Sequence, residues 1–381
     1  MYQQVKLDEL CVHKIETISS DENGLIDYFD IASVDNTKKK IISHQSLKIE
    51  EAPSRAKQIV QLNDILVSTV RPNLNAIAMV DNKTKNKMVA STGFCVLRAS
   101  EKIEPRYLFY FVQSPTFINS MTAQATGASY PAVSNSIVKS SHIPLPDLPT
   151  QRRIADTLDK VAEGIEVCRK MLGELDLMVK AKFVEMFGEP IANTHSLPLI
   201  PLSEIGNWSS GGTPSRSTPA YFEGNIDWYS AGELNTLYLE GSIEKITQDA
   251  LENSAAKLFS AGSMLVGMYD TAALKMGILK RSSASNQACA CIEPNDNIDI
   301  VWLYHVLQIM KPHFLEQRRG IRQKNLNLGM IKSFQVPYAP KSEQKLFASF
   351  VTKIDKSKLT IQGIRDKMEM EKLALMQEYF G

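Results

Sequence analysis

Residues 143–188 read IPLPDLPTQRRIADTLDKVAEGIEVCRKMLGELDLMVKAKFVEMFG, and residues 336–381 read VPYAPKSEQKLFASFVTKIDKSKLTIQGIRDKMEMEKLALMQEYFG. The two align without a gap: Ile143 falls on Val336, Pro144 on Pro337, Gln151 on Gln344, Ala155 on Ala348, Lys160 on Lys353, Glu185 on Glu378 and Phe187-Gly188 on Phe380-Gly381. Each opens with a Pro-containing extended strip and continues as one long helical pattern. In the first, Ile154, Leu158, Val161, Ile165, Cys168, Leu172, Leu175 and Val179 alternate spacings of four and three. That spacing predicts a coiled-coil seam from about Thr150 to Phe187, stopped by Gly188 and Pro190. The second helix, about Glu343 to Phe380, holds its seam with Phe347, Val351, Ile354, Ile361, Met368, Leu375 and Tyr379. Lys358 and Arg365 interrupt it, and Ile364 offers a substitute for the latter. Gly164, Gly173 and Gly363 each cost about 1 kcal/mol relative to Ala, so pairing must stabilise these helices. At the α-helical rise each is roughly 55 Å long.

The repeat extends outward to half the chain. In the segment 1–142, Asp64–Val70 reads as a strand, Arg71-Pro72-Asn73-Leu74-Asn75 as a turn and Ala76–Val80 as a second strand. Phe94–Leu97 and the short helix Tyr107–Gln113 follow. In 189–335, Ser263–Tyr269 resembles the first strand and Trp302–Met310 the helix. Arg318–Asn325 sits where Ala125–Ala132 sits in the first half. The chain therefore divides into 1–142, 143–188, 189–335 and 336–381: a mixed globular block and a long helix, twice. Because the second block begins where the first helix ends and finishes where the second begins, a compact block brings those two ends together. The helices are then antiparallel, related with their blocks by a pseudo-two-fold axis. The fold class is α+β.

Composition narrows the function. The chain has 381 residues, with 43 basic and 42 acidic side chains, too many residues for one core and no general cationic character. The five cysteines are scattered and read as buried hydrophobes of a reducing compartment. The start MYQQVKLDEL is no signal peptide and no window reaches a membrane span, so a cytoplasmic protein is expected. No GxxxxGK followed by Ser or Thr, GxSxG, HExxH, GxGxxG or Asp/Asn-Pro-Pro-aromatic run occurs, and the six histidines are isolated. Gly211-Gly212-Thr213-Pro214-Ser215 lacks the lysine of a phosphate cradle. A non-catalytic recognition and assembly protein remains, with no metal or cofactor of its own.

The matched IPLP and VPYA strips, each followed by a long helix ending in Phe-Gly, resemble the central and C-terminal conserved regions of type I restriction–modification specificity (S) subunits. Ser210–Ser217 followed by Tyr221-Phe222 and Ile226-Asp227-Trp228 is similar to the opening of a target-recognition domain of that family, and Asp64–Ser68 to its usual strand. The resemblance implies two target-recognition domains, each reading one half of a split, asymmetric site in double-stranded DNA. It implies antiparallel helices that set the unread spacer, two modification (methyltransferase) subunits, and a motor–nuclease restriction subunit, together a bacterial defence complex. S-adenosylmethionine, ATP and Mg would reside on those partners only. The alternative is a non-catalytic scaffold whose duplicated blocks bind proteins.

Under the first reading the candidate DNA contacts can be named. Arg318, Arg319, Arg322 and Lys324 are four cations in seven residues without an acid, with Gln323 and Asn325 supplying amides suited to adenine. They precede an element ending at Lys332, whose repeat mate is Lys139. The first half's counterpart loop is uncharged and leans on Ser129, Tyr130 and backbone groups. Arg71, Asn73 and Asn75 follow the Asp64 strand as contacts or as a plain turn. Thr213, Ser215, Arg216, Tyr229, Tyr269 and Lys275 complete the set, with Tyr229 and Tyr269 equally readable as core. Helix pairing is assigned to the seam residues, Ile154 to Leu175 and Phe347 to Leu375.

Overall fold

Both long helices form, over Leu148–Phe187 and Lys341–Phe380. The computed structural model describes residues 2–19, 22–317 and 325–381. These residues gather into two compact units, each using part of both helices: Met1–Lys170 with Gln362–Gly381, and Met171–Ile361. In unit 1, Ile154 and Leu158 share a core with Met376 and Phe380, and Arg169 Nη2 meets Glu369 Oε1 at 3.1 Å. In unit 2, Phe183 and Phe347 stand edge to face with centroids 5.3 Å apart, and Lys358 Nζ reaches Asp176 Oδ1 at 2.5 Å. Rising numbers meet falling ones in both units, so the helices are antiparallel.

The seam does more than pair helices. Ile154 and Leu158 belong to the core of unit 1, and Phe347, Val351 and Ile354 to that of unit 2. Val161 and Ile165 are buried, whereas Leu172, Leu175, Ile361, Met368 and Leu375 are half-buried. Lys358 is answered by the facing Asp176 rather than left as a gap. Ile364 is exposed and does not replace Arg365, which pairs with Asp366 instead. Gly164 is a notch, since a Cβ there would lie 2.2 Å from Met368 Cε, while Gly173 and Gly363 face open space. Gly173→Ala and Gly363→Ala are therefore each expected to stabilise the protein by about 1 kcal/mol. Gly164→Ala should gain less, because Met368 must move; chemical denaturation of the three variants checks the order, and an equal gain at Gly164 would contradict the notch.

The repeat glutamines show how each helix start is fixed. Gln151 is buried; its Oε1 accepts from the Glu104 N–H at 2.9 Å and its Nε2 donates to Pro146 O at 2.9 Å. Gln344 does the same with Asp299 N–H and Ala339 O, both at 2.7 Å. The Pro-containing strips become strands, His142–Leu145 against Gln3–Lys6 and Gln335–Pro337 against Leu199–Pro201. Proline lacks a donor, so such two-stranded edges suit it.

Besides two-stranded pairs, each unit holds two larger sheets among the described residues. In unit 1, Ile65–Ser68 lies between Ile77–Met79 and Phe94–Leu97. A four-stranded sheet runs Gln45–Lys48, Leu25–Phe29, Lys87–Ser91, Ala56–Ile59, with its middle pair parallel. Unit 2 repeats this as Glu244–Ile246, Ile226–Tyr229, Ser283–Ser285, Leu258–Phe259, again parallel in the middle. Its other sheet, with Met264–Gly267 at the centre, has five strands. Among the described residues no helix is long and apolar enough to cross a membrane, and the five cysteines are free and buried. Burial pushes the Cys11 and Cys95 thiols up to about 12, as suits packing rather than reactivity.

Candidate nucleic-acid interface

The strand Ile65–Ser68 is wholly buried and delivers an exposed turn at its end. Arg71 and Asn75 bracket the 3-10 turn Pro72–Leu74, both in the left-handed region at φ 49° and 48°. For a side chain with a Cβ this conformation costs about 1–2 kcal/mol, and such strain gathers at functional sites. A second loop is zipped to this turn. Val70 bridges to Ala132, the Arg71 N–H donates to Pro131 O at 2.7 Å, and Thr126 pairs with Ala132 to close Gly127–Pro131. Gly127 has φ 105°, and a Cβ there would lie 2.9 Å from Tyr130 O. The Arg71 guanidinium lies 4.8 Å from the centroid of the Tyr130 ring, which is 69% exposed. Arg71 and Tyr130 are thus in contact on the surface, with Asn73 and Ser129 exposed on the same two loops.

Unit 2 builds the same frame. After Met264–Gly267, Asp270, the first residue of the 3-10 turn Asp270–Ala272, and Leu274, two residues past its end, take φ 47° and 54°. Leu326 N–H donates to Met268 O at 2.8 Å, as Val133 N–H does to Thr69 O at 2.9 Å. Asn325 Oδ1 accepts from Asp270 N–H at 2.9 Å. These bonds set Asn325 opposite Ala132, so the expected correspondence of the two loops holds where it is described. Tyr269, 41% exposed, stands at the start of the turn. Arg318, Arg319, Arg322, Gln323 and Lys324 lie outside the described residues.

Several candidates are placed elsewhere. Asn75 is only 9% exposed; its carbonyl accepts from Lys39 Nζ at 2.5 Å, so it is a buried turn residue, not a surface contact. Tyr229 is 1% exposed in the core of unit 2, where its flat ring fills space between strands. Lys139 donates to His13 O at 2.7 Å and lies 4.0 Å from Asp8, so it ties the segment to its own unit. Arg216 stacks 4.1 Å from the Phe222 centroid and grips both carboxylate oxygens of Glu244. Thr213 bonds Gln287 and Ser215 bonds Ser217, making a self-stapled loop. Lys275 and Lys332 are half-buried.

Two features escaped the sequence reading. Asp27 and Asp227 are buried at matching places in the middle strands, where Ser46 donates to Asp27 at 2.6 Å and Arg281 to Asp227 at 2.5 Å. Burial favours the neutral acid, yet the hydrogen bonds of Ser46 and Asn86 hold Asp27 below the usual carboxylate range. The shared Ile-Asp-aromatic-aromatic pattern of 26–29 and 226–229 was the available signal. The turn at Asn36–Lys40 was also passed over; it is bound to the 71–75 turn through Asn36 and Lys39.

A duplicated α+β domain carrying one loop frame twice, joined by two long antiparallel helices, defines the class. The model of the type I restriction modification DNA specificity domain matches residues 1–176 and 199–370. The chain belongs to that family. It is 26% identical over 160 residues to the EcoR124I/EcoR124II specificity subunit of Escherichia coli, across 40% of each protein. It is 28% identical over 156 residues to the HindI specificity subunit of Haemophilus influenzae, across 40% of this chain and 34% of that one. The aligned part thus spans about two fifths or less of these curated relatives. Among solved structures, a chain from work on complex assembly and conformational transition of the type I R-M system matches with TM-score 0.61 and 23% identity, covering 100% of this chain and 97% of that one. The M. genitalium type I S subunit matches with TM-score 0.61 and 15% identity, over 100% and 96%. These two likenesses speak to the fold.

Proposed function

We propose that this chain is the non-catalytic DNA-specificity subunit of a type I restriction–modification complex. The observation that carries this reading is one backbone frame bearing two different sets of side chains. A turn with left-handed residues at its two ends, four apart, and a 3-10 segment within it recurs at 71–75 and 270–274. It presents Arg71, Asn73, Ser129 and Tyr130 in unit 1, but Tyr269, Asp270 and Asn325 in unit 2. Constant frame and changed chemistry are what reading two unlike half-sites requires, since base identity is read at donor and acceptor edges while phosphate contacts set position. On this reading the two helices set the unread spacer between the half-sites. Two methyltransferase subunits and a restriction subunit dock on this framework, and S-adenosylmethionine, ATP and Mg act on those partners.

Adenine-methylation mapping of cells with and without the gene tests this. A split motif that depends on the gene is expected. In cells carrying Arg71→Ala, one half of that motif should become degenerate, at a cost in discrimination of about 1–3 kcal/mol at the affected base pair, while the other half stays intact. Absence of any gene-dependent split motif would favour the protein-binding scaffold.

A further inference from the structure

The turn Asn36–Lys40 adjoins the reading loop of unit 1. Asn36 Nδ2 donates to Leu74 O at 3.3 Å, and Lys39 Nζ to Asn75 O at 2.5 Å. Lys39 itself takes φ 56°, which turns its side chain inward and leaves Lys38 and Lys40 exposed on either side. The 81–86 segment lies beside it: Asp81 lines both the cleft bordered by Lys38, Lys39 and Lys40 and the cleft bordered by Lys83 and Lys85. Among the described residues, Lys38, Lys40, Lys83 and Lys85 form no ion pair, whereas neighbouring Lys87 is paired with Glu22. Most acids near these lysines have other partners: Asp35 accepts from the Thr37 and Lys38 N–H groups at 2.9 and 3.0 Å, Asp81 from Asn82 at 3.1 Å, Asp159 pairs with Arg106, and Glu166 and Glu369 with Arg169, while Glu163 lines the same cleft as Lys38 and Lys40.

Unit 2 arranges its charge in the opposite way. The 3-10 turn that leads into this region is capped alike in both units, Ile31–Ser33 by Asp30 and Ala231–Glu233 by Ser230. Yet the following turn in unit 2 reads Asn235-Thr236-Leu237, without charge. The cations beside it are neutralised, Lys280 by Glu240 at 2.6 Å and Arg281 by Asp227 at 2.5 Å. In sequence, unit 2 instead concentrates its cations at 318–324, where the counterpart in unit 1, 125–131, has none.

We infer that Lys38, Lys40, Lys83 and Lys85 form the phosphate grip of unit 1, holding the DNA backbone beside the Arg71–Tyr130 loop. Each lysine is an unpaired, hydrated point charge suited to a phosphate and indifferent to base identity. Tethering through Asn36 and Lys39 couples the grip to the reading turn, so backbone position fixes which base edges the turn meets. This inference rests on the DNA-reading function proposed above.

The test uses the full chain assembled with its modification subunit. The duplexes are one carrying the motif that methylation mapping returns and a scrambled duplex of equal length, over about 50–200 mM salt. Each phosphate contact contributes about 0.9 to the slope of log affinity against log salt. Lys38→Gln with Lys40→Gln should make the slope shallower by about 2, and adding Lys83→Gln and Lys85→Gln by about 3–4 in total. Affinity should fall equally on both duplexes, and the mapped motif should not change. Lys356→Gln with Lys367→Gln, exposed lysines on the second long helix, should leave the slope as it is. An unchanged slope in the four-lysine variant, an equal change in the helix control, or an altered base preference would each overturn the grip. If the wild-type complex binds no motif duplex in preference to the scrambled one, the proposed function fails rather than this inference.

Discussion

Replacing Arg98 with alanine is expected to destabilise unit 1 by about 3–5 kcal/mol. Arg98 donates from Nε and Nη2 to the two oxygens of Asp64 at 2.8 and 2.7 Å, and from Nη2 to Ile59 O at 3.2 Å. Asp64 is fully buried. Without the guanidinium its carboxylate keeps, among the described residues, only the Gln61 N–H at 2.9 Å as a partner. An uncompensated buried charge is the costly outcome, whereas replacing both members together is often neutral. Asp64→Ser with Arg98→Met should therefore recover much of the loss; Ser263, itself buried, already stands before the equivalent strand of unit 2. Unfolding must be resolved by unit, because a two-unit chain need not melt in one step. The tryptophans, Trp208, Trp228 and Trp302, all fall within Met171–Ile361, so their fluorescence follows unit 2 alone and calorimetry supplies the rest. A calorimetric loss below about 1 kcal/mol in Arg98→Ala would show that water, not burial, governs Asp64.

The second large effect belongs to unit 2. Phe347 is completely buried, with its ring 5.3 Å from Phe183, 5.7 Å from Phe187 and 5.3 Å from His305, centroid to centroid. Three edge-to-face partners and a closed core leave no route for collapse after truncation. Phe347→Ala should cost about 3–5 kcal/mol, read as an earlier tryptophan transition in urea. Burial also pushes the His305 imidazole down to about 4, so the ring packed against Phe347 is neutral at pH 7. A shift worth less than about 1.5 kcal/mol would mean that the cavity fills by rearrangement. Both substitutions act on an anchor of the fold: Asp64 holds the strand that leads into the Arg71–Asn75 turn, and Phe347 holds a long helix to its core.

The long helices were legible because a regular apolar spacing persists over many turns, and local signals that agree need no tertiary knowledge. The strand at Ile65–Ser68 was legible for the same reason, as a short apolar run before Pro and Asn. Leu25–Phe29 was not, because buried Asp27 breaks its apolar pattern and its partner strand Gln45–Lys48 is polar and exposed. The candidate interface was readable in part. Arg71 and Tyr130 look like surface residues and are. Asn75 and Tyr229 carry polar groups suited to contacts, yet tertiary packing buries them, and nothing in residue type reveals that. The Lys38–Lys40 run reads as an ordinary solvated face until Lys39 is seen to bond the neighbouring turn. The seam was read as helix against helix; that its ends close two domain cores depends on which block folds over them.

The division of the helices also has a consequence in time. Unit 2 is one continuous stretch, Met171–Ile361, whereas unit 1 needs Gln362–Gly381 to supply Met376 and Phe380 to its core. On the ribosome, unit 1 therefore waits for the chain after residue 170 to be made. At about 5–20 residues per second that wait is roughly 10–40 s. Throughout it the unfinished core of unit 1, though made first, remains open to chaperones, while the later-made unit 2 closes before it.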